Sequence, residues 1–181
     1  MPRILIIRHA QSEANLQRIL MGSKLDSPLS PHGKQAASNK GSQLKEEGFR
    51  PDAVFTSALT RTKETANIII SQLDLDLTII ELAELNERDF GQYDGKPYEQ
   101  VIEAFDHFGP NPPTVEQAKY FIERVQKGLE TVKKAGHDTT LVVTHSNVVN
   151  VLQAALFQPD KLENYWELPD PSYCEGFIYN F

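Results

Sequence analysis

The chain has 181 residues, 40% of them apolar, with one Trp and six Tyr, enough to bury a sizeable core in a single domain spanning residues 1–181. A formal net charge of -7 argues against a nucleic-acid binder, because phosphate backbones are held through an excess of Lys and Arg. Cys174 is the one cysteine, which excludes an intrachain disulfide and any CxxC metal or redox pair.

Met1-Pro2-Arg3 leads into the apolar run Ile4-Leu5-Ile6-Ile7, too short for a signal-peptide core, and no stretch reaches transmembrane length. A soluble cytoplasmic protein that does not engage membranes is the expectation. The run itself fits a strand covered on both faces, as in a parallel sheet. Arg8 and His9 follow it at once, and ligands of open α/β sheets bind just beyond the carboxyl ends of such strands. Residues 16–31 show no sustained period and read as a long ordered loop over the strand end. Ser30 is a candidate N-cap and Pro31 a first helical residue for a helix running to about residue 47, ended by Gly48. Residues 53–57 read as strand two, residues 59–73 as a helix with Ala66, Ile69, Ile70 and Leu73 on one face, and residues 78–82 as strand three. This alternation predicts a parallel sheet. Residues 83–96 are polar and irregular. Residues 98–108 have the period of a short helix, broken by Gly109-Pro110-Asn111-Pro112-Pro113, and residues 114–135 that of a long one ended by Gly136. Residues 139–144 give strand four, 146–157 a helix, 160–168 a short helix, and 175–181 an edge strand.

Arg8 and His9 thus follow the first strand, Arg61 the second, Glu87 the third and His145 the fourth, and a parallel sheet brings all of them to one edge. Guanidinium forks match phosphate oxygens, and an imidazole can act as a nucleophile. Two Arg, two His and one carboxylate make a phosphoryl-transfer pocket without a metal. Taken singly, each has a plainer reading: Arg8 and Arg61 as ion-pair partners, His145 as a satisfied core histidine, and Glu84 as a rival to Glu87 for the acid. Asp74-Leu75-Asp76-Leu77-Thr78 matches the DxDxT pattern of magnesium-dependent phosphatases, but it precedes strand three and so falls at the opposite sheet edge. Cys174 cannot serve a Cys-x5-Arg phosphate loop, since position 180 is Asn, and no G-x-x-x-x-G-K-[ST] loop is present.

The residues resemble the histidine phosphatase superfamily, also called the phosphoglycerate mutase-like family. Arg8-His9-Ala10-Gln11-Ser12 with Asn15 resembles its opening signature, with Ala10 where glycine is usual, and Gly22, Asp26, Pro28, Leu29, Ser30, Gly33, Gln35 and Ala36 resemble the next segment. Ser57-Ala58-Leu59-Thr60-Arg61-Thr62 with Thr65-Ala66 resembles the second arginine motif. Leu85-Asn86-Glu87-Arg88-Asp89-Phe90-Gly91 resembles the acid loop, and Val142-Val143-Thr144-His145 the second histidine motif, departing at Ser146-Asn147. The resemblance implies a three-layer α/β/α sandwich with a mostly parallel central sheet. It implies that His9 becomes a transient phosphohistidine, that Arg8, Arg61, Asn15 and His145 hold the phosphoryl oxygens, and that Glu87 is the general acid and base. Ser12, Met21, Gly22 and Ser146 line the pocket in this reading, with no metal or cofactor required and a small phosphomonoester as substrate. Oligomeric state stays open. The alternatives are a cofactor-dependent phosphoglycerate mutase, against which stands the lack of an arginine cluster between Glu87 and His145, and a phosphate-binding protein without turnover.

Overall fold

The computed structural model describes residues 1–102 and 112–181. β1 (Arg3–Arg8), β2 (Ala53–Thr56), β3 (Ile79–Glu81), β4 (Thr139–Thr144) and β5 (Gly176–Asn180) form one sheet in the order β3-β2-β4-β1-β5, parallel except for β5. Side chains alternate across a strand, so an unbroken apolar run must feed two cores. Ile4 and Ile6 of β1 enter one core with Phe55 and Val142, whereas Leu5 and Ile7 enter the other with Val54, Leu141 and Val143.

Helices cover the two faces. α2 (Pro31–Glu46) and α3 (Thr60–Gln72) supply Leu44, Ala66, Ile69 and Ile70 to the second core. α5 (Ala118–Lys134) and α6 (Ser146–Phe157) supply Phe121, Val125, Leu129, Val148, Val149 and Leu152 to the first. A 3-10 stretch over Pro159–Glu167 closes that layer with the buried Tyr165. The fold is the expected three-layer α/β sandwich. β1 and β4 are neighbours, yet the helices that follow them in the chain, α2 and α6, lie on opposite faces. Their carboxyl ends therefore open a crevice between diverging connections, which is where ligands bind in such sheets. Among the described residues no helix is long and apolar enough to cross a membrane.

Two boundaries differ from the sequence reading. α1 (Glu13–Leu16) is a single turn held by a capping box, in which Ser12 accepts from the Asn15 backbone while the Asn15 side chain accepts from the Ser12 backbone; one turn is too short to show a period. The expected helix over residues 114–135 starts only at Ala118, because Val115 packs instead with Phe90, Tyr93 and Val101. α4 (Tyr98–Ile102) opens the helix expected over residues 98–108; the remainder of that helix lies outside the described residues, as do Gly109, Pro110 and Asn111 of the break. The expected edge strand is present as β5, antiparallel beside β1.

Candidate functional site

Register places the two histidines side by side. Arg8 pairs with Thr144 across β1 and β4, so the next residue on each strand is a histidine, and the His9 backbone N–H donates to the Thr144 carbonyl at 2.8 Å. The His9 and His145 rings meet edge to face with centroids 5.2 Å apart. The crevice beside them is a cavity of about 590 Å³ whose wall includes Arg8, His9, Asn15, Met21, Arg61, Glu87 and Ser146.

The tautomer of His9 follows from its partner. Nδ1 lies 2.6 Å from the Ala10 carbonyl, which can only accept, so Nδ1 carries the proton and the lone pair resides on Nε2. Burial, then the Arg61 and Arg8 charges, hold its pKa well below the usual imidazole value. The ring is neutral with an available lone pair. Ala10 has no left-handed backbone conformation. Its methyl sits in a small apolar cluster with Leu29, Ala37 and Cys174, and its N–H donates to Thr65 Oγ1 at 3.0 Å.

His145 is fully buried and lies behind His9 rather than on the cavity wall. Its Nε2 is 2.8 Å from Ser57 Oγ, which is itself 2.8 Å from Thr62 Oγ1. Thr62 Oγ1 in turn lies 2.8 Å from the Leu59 carbonyl. A carbonyl cannot donate, so protons run outward along this chain: Thr62 donates to Leu59, Ser57 to Thr62, and His145 Nε2–H to Ser57. That leaves Nδ1 as the bare nitrogen, and it is buried without a partner. Burial and the nearby Arg61 charge keep this imidazole neutral as well, its pKa well below the ordinary value.

Arg61, at the start of α3, is 1% exposed. Its Nη1 donates to the Leu25 carbonyl and to Asp26 Oδ1, both at 3.2 Å, and its Nη2 to the Gly22 carbonyl at 3.1 Å. Residues 16–31 therefore serve to aim a cation. Gly22 does so from behind the wall: its N–H donates to Asp94 at 2.6 Å, and a Cβ there would come within 2.5 Å of the Arg88 carbonyl. The same segment is zipped to residues 95–98 by backbone bonds from Leu20 to Lys96, Gly95 to Leu20 and Tyr98 to Arg18. Arg8 stacks on the Tyr173 ring at 4.3 Å and donates from Nη1 to the Pro171 carbonyl at 2.9 Å, leaving its buried Nε unpartnered.

Ser12 is also behind the wall. Its N–H and hydroxyl both donate to Asn15 Oδ1, at 3.1 and 2.9 Å, which turns the Asn15 amide so that its donor end is free for the cavity. Glu87 is 6% exposed and accepts from the Arg88 N–H at 2.8 Å and the Asn147 N–H at 3.4 Å. Burial raises its pKa, opposed by those bonds and by Arg61. The rival acid, Glu84, is absent from the cavity wall and pairs with Lys127. Asp74 pairs with Lys45 away from the crevice, and Cys174 is buried, its thiol pushed up to about 11. The sequence reading gave no site role to Ser57, Thr62, Asn147, Asp170, Trp166 or Tyr173. Ser57 and Thr62 stood inside a quoted motif, but which atoms they contact depends on a strand 88 residues away from Ser57.

Two buried polar groups without partners, Arg8 Nε and His145 Nδ1, thus flank a neutral imidazole with a free lone pair, a buried guanidinium and a buried carboxyl. An orphaned buried group costs about 1–3 kcal/mol until a ligand satisfies it. A tetrahedral oxyanion would meet the Arg8 and Arg61 donors on the cavity wall, whereas the bare His145 Nδ1 is an acceptor and offers it no hydrogen bond.

A profile of the histidine phosphatase superfamily (branch 1) matches residues 4–175. The chain is 33% identical to a Bacillus subtilis protein named as an uncharacterized phosphatase, PhoE, with 98% of this chain and 100% of that one covered. It is 30% identical to phosphoglycerate mutase 1 of Saccharomyces cerevisiae over 92% of this chain and 66% of the mutase. YhfR of Bacillus stearothermophilus superposes with a TM-score of 0.84 at 26% identity, covering 98% of this chain and 90% of that one. Since the profile runs through all of the crevice residues and the resemblance extends across the whole sheet, the chain belongs to branch 1 of the histidine phosphatase superfamily.

Proposed function

We propose that the protein hydrolyses phosphate monoesters through a phosphohistidine on His9. The observation that carries this reading is the 2.6 Å bond from His9 Nδ1 to the Ala10 carbonyl, which leaves Nε2 as the ring's nucleophilic atom. Nε2 attacks phosphorus, the bond to the leaving oxygen breaks, and the Glu87 carboxyl gives that oxygen its proton. The phosphorylated ring keeps Nδ1–H and carries a positive charge next to the Ala10 carbonyl, which makes it a good leaving group. Glu87, now a carboxylate, takes a proton from water as the water oxygen attacks phosphorus. The P–N bond breaks and His9 returns to its neutral state.

Arg8, Arg61 and the Asn15 amide bear the charge of the equatorial oxygens in this reading, and positioned charge is the main device of phosphoryl transfer. His145, fully buried and off the cavity wall, packs edge to face against the His9 ring and holds it in place. Met21 and Ser146 line the cavity, and the Ser146 hydroxyl is committed to Asp170 at 2.7 Å.

The similarity to a phosphoglycerate mutase favours a second reading, phosphoryl exchange between carbons of a phosphoglycerate. Against it stands the lack of an arginine cluster in the sequence between Glu87 and His145. Phosphate release from a panel of monoesters, measured in chelator for wild type and His9→Ala, tests the proposal. Wild type should release phosphate and His9→Ala should lose at least about 10³-fold in rate. Near-normal rates in His9→Ala would refute the mechanism. Interconversion of phosphoglycerates without release would establish the mutase reading.

A further inference from the structure

The loop that carries Glu87 to the cavity has little regular structure of its own. One 3-10 turn spans Ala83–Leu85, and Asn86 leaves it with an extended backbone, so the carbonyls around the carboxyl need donors from elsewhere. A single side chain 37 residues beyond Glu87 supplies them. Arg124, in the first half of α5, donates from Nη1 to the Glu84 carbonyl at 3.0 Å and to the Asn86 carbonyl at 2.9 Å, and from Nη2 to the Glu87 carbonyl at 3.3 Å. Its other edge makes a two-pronged pair with Glu116, Nε to Oε1 at 2.9 Å and Nη2 to Oε2 at 2.8 Å.

Glu116 grips the loop just past Glu87. Its Oε2 accepts from the Asp89 N–H at 3.1 Å, its own N–H donates to the Asp89 carbonyl at 2.8 Å, and its carbonyl accepts from Arg88 Nε at 2.9 Å. The guanidinium also lies over the buried Phe121 ring, with its carbon 5.1 Å from the ring centre. Neither Arg124 nor Glu116 is on the wall of the cavity beside His9. A planar fork can serve three carbonyls and a carboxylate at once, whereas an ammonium carries the charge without that geometry.

We propose that Arg124 is a positioning residue for Glu87: clamped by Glu116, it fixes the backbone from residue 84 to residue 89 and so sets where the Glu87 carboxyl stands in the cavity. This rests on the reading of Glu87 as the general acid.

A displaced acid costs most where the leaving oxygen most needs its proton. The test therefore compares kcat/KM, which reports transfer to His9, for two substrates: p-nitrophenyl phosphate and the alkyl phosphate that wild type hydrolyses fastest. The Kd of inorganic phosphate gauges the Arg8 and Arg61 end of the site. Arg124→Met should lower kcat/KM on the alkyl ester by roughly 10–10²-fold and on p-nitrophenyl phosphate by less than about threefold, at unchanged Kd. Arg124→Lys, which keeps the charge but not the fork, should show the same split. Added to Glu87→Gln, Arg124→Met should cost the alkyl ester little more, as expected of two changes acting through one carboxyl. Equal losses on the two substrates in Arg124→Met, or full additivity in the double variant, overturn the inference and leave Glu87 as the acid. The absence of a split in Glu87→Gln itself refutes the acid reading, and the inference with it. Should Arg124→Met not fold, Glu116→Gln, which loosens the clamp from its other side, decides: the same split supports the inference, and its absence overturns it.

Discussion

At the scale of single residues, the site works by fixing which nitrogen is bare on each histidine. His9 is set by one carbonyl and His145 by a hydroxyl chain that ends on another. Ser57→Ala removes the acceptor of a buried N–H, so it should cost about 1–3 kcal/mol of stability and raise KM, with urea unfolding and steady-state kinetics as the checks. An unchanged midpoint would mean that His145 is held some other way. Glu87 is raised by burial and therefore keeps its proton above the ordinary carboxylate range. We expect Glu87→Gln to slow alkyl phosphates by about 10²–10⁴-fold and p-nitrophenyl phosphate far less, since a phenolate needs little protonation to leave. Equal losses on both substrates would move the acid elsewhere. Arg8, His9, Arg61, Glu87 and His145 were all legible in the sequence as residues lying after strands. The behind-the-wall places of Ser12 and Gly22 were not, because capping and backbone aiming depend on three-dimensional partners such as Asn15 Oδ1 and Arg61 Nη2.

At the scale of elements, strand ends and helix starts are the working parts. α2 begins at a buried serine: Ser30 Oγ accepts from the Gly33 N–H at 3.0 Å and donates to the Gln11 side chain at 3.0 Å. A Cβ on Gly33 would come within 2.0 Å of the Gln11 carbonyl, so this helix start is pressed directly onto the segment that follows His9. Ser30→Ala should destabilise the fold by about 1–2 kcal/mol, read as a lower urea midpoint at unchanged slope; a shift under a few tenths would show the cap to be redundant. The apolar runs and the Ser30-Pro31 cap made most of these elements readable. The errors came where local pattern and packing part company. Val115 continues the helical period of residues 118–132, yet it belongs to a separate cluster with Phe90, Tyr93 and Val101. Residues 16–31 carry no period at all, and their order comes from Arg61 and from the ladder to residues 95–98.

At the scale of the molecule, a buried polar site is maintained against the fold's own preference. His9 and His145 are held neutral, with values well below the ordinary 6.5. Below that pH the unfolded chain takes up protons that the native chain refuses, so stability should fall as pH drops through 6.5. Glu87 acts with the opposite sign: its raised value favours the native state at low pH, and that contribution is lost as pH rises through its folded value. Urea midpoints from pH 7.5 down to 5.5 should therefore decline, and decline less in His9→Ala, where one refusing imidazole is gone; identical slopes for both proteins would contradict this. The sheet order, the register of Arg8 with Thr144 and the placing of α2 and α6 on opposite faces all converge on His9 Nε2, the atom we propose as the nucleophile. The most direct test is to quench wild type with base during turnover of a phosphomonoester and locate the phosphoryl group by peptide mass mapping. We predict a base-stable, acid-labile phosphohistidine at His9 that vanishes as substrate is exhausted; turnover with no phosphoenzyme, or with phosphate on any other residue, would contradict it.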